Sequence, residues 1–288
     1  MSPYAEQVLI CTGQGDWTSK IEEESSGDNL AADIKGLLGR GGIYADPYHN
    51  VTVLNSSFPP TGPRTTEIVN RSAYILPSFK YVPFIRHGSF DAVQALVKGY
   101  LLPTKLSFAH DHLSPIHRDR LLRKKEYTSM LDGVQDVKDV LVLICGHGTR
   151  DQRCGIMGPV LQGEFEKGLE MHNLRVKKDA VGIERPTYEE KRSLEEPKIE
   201  EQVGGAARVG LISHMGGHKF AGNVILYLPP GMKTVEGDEH PLGGCGIWYG
   251  RVEPKHVDGI VKETIQGGKV IEDLFRGGIR QNGEILRL

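Results

Sequence analysis

Val140-Leu141-Val142-Leu143-Ile144-Cys145-Gly146 is an unbroken apolar run that ends in a cysteine and a glycine. Val8-Leu9-Ile10-Cys11-Thr12-Gly13 carries the same Val-Leu-Ile-Cys tetrad near the start of the chain. A continuous run of this length, closed by a turn residue, suits a strand covered on both faces. Each run therefore reads as a buried strand that delivers a cysteine to the edge of a sheet.

Further landmarks follow both tetrads in the same order. A helix-period stretch comes next, over 28–38 with Leu30, Ile34, Leu37 and Leu38 on one face, and over 159–169 with Val160, Phe165 and Leu169. Strands are expected at 51–54 and 209–212, then at 73–76 and 223–228, and a closing helix at 90–101 and 256–265. Self-similarity of this kind suggests a duplication. Strand, helix and strand followed by antiparallel strands and a last helix is an α/β pattern. The expected fold is two tandem thioredoxin-like domains, each a mixed sheet flanked by helices: residues 1–102, a linker over 103–136, and residues 137–288.

With 35 Lys and Arg against 37 Asp and Glu, the 288 residues carry a formal charge of −2, which argues against a generic polyanion binder. The linker has a basic cluster, Arg118, Arg120, Arg123, Lys124 and Lys125, but lacks the stacking aromatics of a nucleic-acid surface, so no nucleic-acid partner is expected. The longest apolar run falls far short of the ~20 residues that cross a bilayer, so no membrane insertion is expected. Four cysteines are too few for a disulfide scaffold and favour a reducing compartment. The charged stretch 175–201, with 15 charged residues of both signs, reads as a solvated excursion.

Chemistry concentrates after the second tetrad. Cys145-Gly-His-Gly-Thr-Arg-Asp-Gln-Arg-Cys154 can bring two thiolates together from one post-strand loop, and Ser213-His214-Met-Gly-Gly-His218 places two imidazoles on another. Two sulfurs and two nitrogens on loops at the same sheet end make a plausible four-ligand site. Three readings compete on spacing alone. One is a closed Cys2His2 zinc site that stabilises a non-catalytic interaction protein. Another is a thiol-disulfide oxidoreductase using Cys145 and Cys154. The third is a 2Fe-2S cluster with Rieske-like ligands.

The segments Cys145 to Gly155, His214 to Asn223 and Trp248-Tyr249-Gly250-Arg251-Val252 resemble the sucrase/ferredoxin-like family of thioredoxin-fold iron-sulfur proteins. Cys11-Thr-Gly-x-x-Asp16-Trp17 and Phe275-Arg-Gly-Gly-Ile279 are most similar to its fungal "altered inheritance of mitochondria" branch. The resemblance implies a 2Fe-2S cluster on Cys145, Cys154, His214 and His218. It implies a one-electron carrier or redox sensor, rather than an enzyme with its own substrate, that works with redox protein partners of unknown identity. Neutral histidine ligands would raise the potential above that of a plant-type ferredoxin and couple reduction to protonation. A mitochondrial location follows from the resemblance alone, with the cytoplasm as the alternative. The opening residues read as neither a secretory signal nor an Arg-rich transit peptide.

The first half departs from this pattern. Asp16 and Trp17 occupy the loop after Cys11 without a second cysteine, and Ser56 and Ser57 fall where the histidine loop would begin. It is expected to be a cluster-free copy with a structural or docking role, Cys11 being buried filler or otherwise a reactive thiol, and Cys245 spare or redox-sensitive. His110, His112 and His117 read as surface linker histidines. His147 is a reserve ligand or a hydrogen-bond donor behind the ligands, and Arg150 and Arg153 point either toward the sulfurs or into their own loop through Asp151.

Overall fold

A computed structural model describes residues 3–24, 29–62, 70–183, 205–216 and 221–287. The first half forms β1 (Glu6–Cys11), α1 (Leu30–Leu38), β2 (Val51–Ser56), β3 (Asn70–Leu76), β4 (Lys80–Arg86) and α2 (Phe90–Leu96). After α3 (Pro115–Arg120) and β5 (Gln135–Asp136), the second half forms β6 (Val140–Cys145), α4 (Gln152–Met171), β7 (Arg175–Val176), β8 (Ala206–Ile212), β9 (Val224–Leu228), β10 (Cys245–Tyr249) and α5 (Val257–Gly259). It ends with β11 (Phe275–Arg280) and β12 (Ile285–Leu286).

Both tetrads are central strands, buried at every position. β1 pairs parallel with β2 and antiparallel with β3, which pairs antiparallel with β4. β6 repeats this with β8, β9 and β10 in the same senses. The closing helices also match, since α2 continues as a π-helical Val97–Leu101 and α5 as a π-helical Ile260–Gln266. The chain is therefore mixed α/β, with the repeat legible in its strand pairing.

The halves join into one mixed sheet, ordered β12-β11-β10-β9-β6-β8-β2-β1-β3-β4-β5 with β7 on β8. The joint lies where β2 and β8 meet antiparallel at Ser56 and Ile212. Its hydrogen bonds are reciprocal. Ser57 N–H donates to the Leu211 carbonyl and Ser213 N–H to the Asn55 carbonyl, both at 2.9 Å. The Ser57 hydroxyl accepts from Leu211 N–H at 2.9 Å and the Ser213 hydroxyl from Asn55 N–H at 3.0 Å.

On the sheet face away from the helices, both halves contribute to one core: Leu9, Leu54, Tyr74 and Phe79 pack with Leu141, Leu143, Ile225 and Trp248. Its buried hydroxyls are satisfied across the halves, as buried polar groups require. Tyr4 and Tyr227 share a 2.6 Å hydrogen bond, Tyr227 Oη donates to Gln7 Oε1, and Trp248 Nε1 donates to Tyr4 Oη.

Three local features differ from the sequence reading. α4 starts at Gln152 rather than at Pro159, because the Asp151 side chain caps it by accepting from Arg153 N–H, and the helix carries Pro159 inside it. Residues 135–136 of the expected linker form β5, which pairs with β4. His110 is buried and bonds Asp46 at 2.8 Å instead of lying on the surface, whereas His112 and His117 are exposed. The charged stretch 184–201 lies outside the described residues.

Candidate metal centre

β6 places Cys145 at its end, where Cys145 N–H donates to the Asn223 carbonyl (3.0 Å) and Gly146 N–H to the Ile212 carbonyl (3.1 Å). β8 ends one residue before Ser213, whose bonds to the joint fix the path into His214. Cys154 lies in the first turn of α4, beyond a short Gly146–Asp151 connection, so the loop between the cysteines is shorter than their spacing suggested.

Glycines bring the two sulfurs together. A Cβ on Gly155 would lie 2.5 Å from Gly148 Cα, and one on Gly158 would lie 2.7 Å from Gly146 Cα and 3.0 Å from the Cys145 carbonyl oxygen. Only residues without side chains let the start of α4 press its backbone against the turn after β6.

The outcome is a convergence. One ligand atom from each of Cys145, Cys154 and His214 lies within 4.8 Å of the other two, the one such cluster of metal-binding side chains among the described residues. Cys145 Sγ and His214 Nδ1 are 4.0 Å apart. Both cysteines are buried and His214 is half-buried. His218, the fourth expected ligand, lies outside the described residues.

The two thiols are differentiated. Hydrogen bonds from Cys145 first and then from His214 hold the Cys154 thiol down at about 5, against the opposing effect of burial. The Cys145 thiol is pushed well up, because it donates its proton toward Cys154 and is itself buried. Two sulfurs, one already favouring the thiolate, beside an imidazole form a donor set that suits zinc or iron-sulfur chemistry.

The side chains of Arg150, Arg153 and His147 bond elsewhere, while the backbone of His147 and Met215 hydrogen-bonds the Cys145 sulfur. Arg153 makes a two-bond fork to Asp151 at 3.0 and 2.8 Å, and Arg150 donates to Ser19 Oγ at 3.2 Å. His147 is buried and uses both ring nitrogens on other partners: its Nδ1 accepts from His214 N–H and its Nε2 donates to the Trp17 and Thr18 carbonyls, each at 3.0 Å. It is therefore not a reserve ligand here.

Arg276, in the Phe-Arg-Gly-Gly-Ile stretch, donates to Asn223 Oδ1. Burial lowers its pKa and the Cys145 charge opposes that shift. The sequence marked this stretch as a motif without giving Arg276 a role; an arginine directly before two glycines was the available signal, and in the structure it is half-buried.

Burial pushes the Cys11 thiol up to about 12, with Ser56 and Arg208 opposing, and also raises the Cys245 thiol. Both are buried packing residues that are not members of the convergent set. Cys11→Ala and Cys245→Ala are accordingly expected to leave bound metal unchanged, as measured by elemental analysis of the purified chain.

Comparison with known proteins places this geometry in context. The family described as Sucrase/ferredoxin-like matches residues 1–277. A Meyerozyma guilliermondii protein called "Altered inheritance of mitochondria protein 32" is 31% identical over 231 residues, 79% of this chain and 63% of that protein. A Debaryomyces hansenii protein of the same name is 29% identical over 269 residues, 92% of this chain and 77% of that protein. The chain thus spans less than two thirds of the first of these relatives. No solved structure matches it. A match over nearly the whole chain, with the cysteines and histidine of its motifs gathered at one point, makes this protein a member of the sucrase/ferredoxin-like family.

Proposed function

We propose that the chain is a one-electron carrier or redox sensor that holds a 2Fe-2S cluster on Cys145, Cys154, His214 and His218. The observation that carries this reading is the meeting of two sulfurs and one imidazole, from three separate elements, within 4.8 Å. The cluster would supply reversible acceptance of a single electron. Cys145 and Cys154 would hold it as thiolates, and the histidines would hold it through one ring nitrogen each, the other nitrogen carrying the proton that is exchanged.

The same reading takes the two halves as thioredoxin-like units, 1–102 and 137–288, connected by 103–136. The matching strand pairing and matching π-helical endings support it. The first unit has Cys11 buried and no convergent ligand set among the described residues, which supports a cluster-free role. Mitochondrial placement rests on the names of the relatives. The partners are redox proteins, with no nucleic acid; among the described residues no helix is long and apolar enough to cross a membrane.

A brown protein whose visible absorption bleaches with dithionite is the expected result. The midpoint potential should lie above the about −400 mV of plant-type ferredoxins. It should fall as pH rises across about 5 to 9, because a histidine ligand holds its remaining ring proton more tightly once an electron has been added. A potential that stays flat over this range contradicts histidine ligation.

A second reading, a thiol-disulfide couple between Cys145 and Cys154, is favoured by one observation: the depressed Cys154 thiol at the start of α4 beside a protonated neighbour. It predicts a colourless protein with two titratable thiols near these positions.

A further inference from the structure

We propose that His147 is a positioning residue through which the 16–19 loop of the first half sets the place of His214, so that the metal centre is built from both halves of the chain. The proposal rests on the reading of His214 as a ligand.

The ring of His147 is 1% exposed and lies between the two halves. A backbone N–H can only donate, so the bond from His214 N–H (3.0 Å) requires an unprotonated Nδ1. The proton then sits on Nε2, which faces two groups that can only accept, the carbonyls of Trp17 and Thr18, each at 3.0 Å. The imidazole is a rigid strut with one end on the ligand-bearing strand exit and the other on the opposite half.

The far end of the strut is itself anchored. Trp17 Nε1 donates to Thr12 Oγ1 at 3.0 Å, pinning the loop to the exit of β1. The Trp17 ring meets His147 edge-on, with centroids 5.9 Å apart and planes at 88°. Asp16 accepts from Trp17 N–H at 2.9 Å, and its other oxygen accepts from Thr149 N–H at 3.0 Å and Thr149 Oγ1 at 2.8 Å. Burial opposes ionisation of Asp16, and these donors outweigh it, so its pKa is lowered. A continuous set of bonds runs from the end of β1 through Asp16 and Trp17 to His147 and on to His214. This gives the first half's loop, which lacks a second cysteine, a role in the centre itself.

Residues that orient metal ligands cost about 10- to 100-fold in metal affinity when removed. The test uses the full chain, freed of metal, with Co2+ as the probe and two readouts: Co2+ affinity from its visible bands, and hydrogen exchange of the His214 amide without metal. His147→Ala should weaken Co2+ binding by about 10- to 100-fold, and the His214 amide should lose protection. His147→Asn, whose side-chain oxygen can replace Nδ1 as acceptor, should restore part of that protection.

Asp16→Ala touches no ligand and is a milder variant should His147→Ala fold poorly. It should shift both readouts in the same direction. Unchanged Co2+ affinity and unchanged His214 exchange in a folded His147→Ala or Asp16→Ala chain would overturn the proposal. His214→Ala, run in parallel, separates the two claims. If it binds Co2+ as tightly as the parent, the ligand reading fails and the proposal with it; if it alone weakens binding, only the strut is wrong.

Discussion

Replacing either convergent cysteine, as Cys145→Ser or Cys154→Ser, is expected to lower the metal content of the purified chain by at least about tenfold while the fold persists. Both cysteines are buried at the meeting point of β6, α4 and the exit of β8, and among the described residues no further Cys, His, Asp or Glu joins them and His214 there. A serine hydroxyl stays neutral at ordinary pH, whereas a cysteine ligand binds as the thiolate. Of the pair, Cys154 is the one held toward the thiolate, through its bonds from Cys145 and His214. Elemental analysis alongside circular dichroism checks the outcome; a serine variant that retains full metal content would remove Cys145 or Cys154 from the ligand set.

Gly158→Ala and Gly155→Ala should each destabilise the chain by about 1–3 kcal/mol, because the added methyl meets backbone that has nowhere to go. At Gly158 the obstacles are Gly146 Cα and the Cys145 carbonyl, and at Gly155 the obstacle is Gly148 Cα. Relief requires α4 to lift away from the turn after β6, which carries Cys154 away from Cys145. Metal content should therefore fall together with the melting temperature. The same substitution at Gly163, three turns into α4 with nothing within 4 Å of the new Cβ, should instead stabilise by about 0.4–1 kcal/mol through a less flexible unfolded chain. Opposite signs in one helix, read by thermal or urea melts, would show that close backbone approach governs the effect; equal effects at all three glycines would show that helix propensity does.

The parts of the fold legible in the sequence are those in which burial alone dictates residue type. The tetrads at Val8–Cys11 and Val142–Cys145 are unbroken apolar runs because both of their faces are covered, and the order of elements after each tetrad exposes the repeat. The joint between halves was illegible for the opposite reason. It is made by Asn55, Ser57 and Ser213, polar residues at strand ends that look like the start of loops, and their pairing depends on partners more than 150 positions away. The core shared by Tyr4, Phe79 and Tyr227 likewise exists only once that joint has set the two half-sheets edge to edge.

The candidate site was legible in its ligands and hidden in its supports. Cys145, Cys154 and His214 share a motif pattern, and three of the four expected ligands can be placed, all of them together. The start of α4 was misplaced because proline usually opens a helix, whereas here Asp151 caps it earlier. The place of His147 could not be read from its neighbours in sequence, since its partners Trp17 and Thr18 belong to the other half. Of the two directions open to them, Arg153 takes the one into its own loop through Asp151, whereas Arg150 takes neither and bonds Ser19 in the other half of the chain.

Iron and acid-labile sulfide counted per chain, with electron paramagnetic resonance of the dithionite-reduced protein, decide whether Cys145, Cys154 and the histidines hold a 2Fe-2S cluster. About two irons and about two sulfides per chain are expected, with a reduced-state signal typical of a cluster that has nitrogen ligands. A single zinc ion without sulfide, or a metal-free chain holding two titratable thiols, would contradict the cluster assignment.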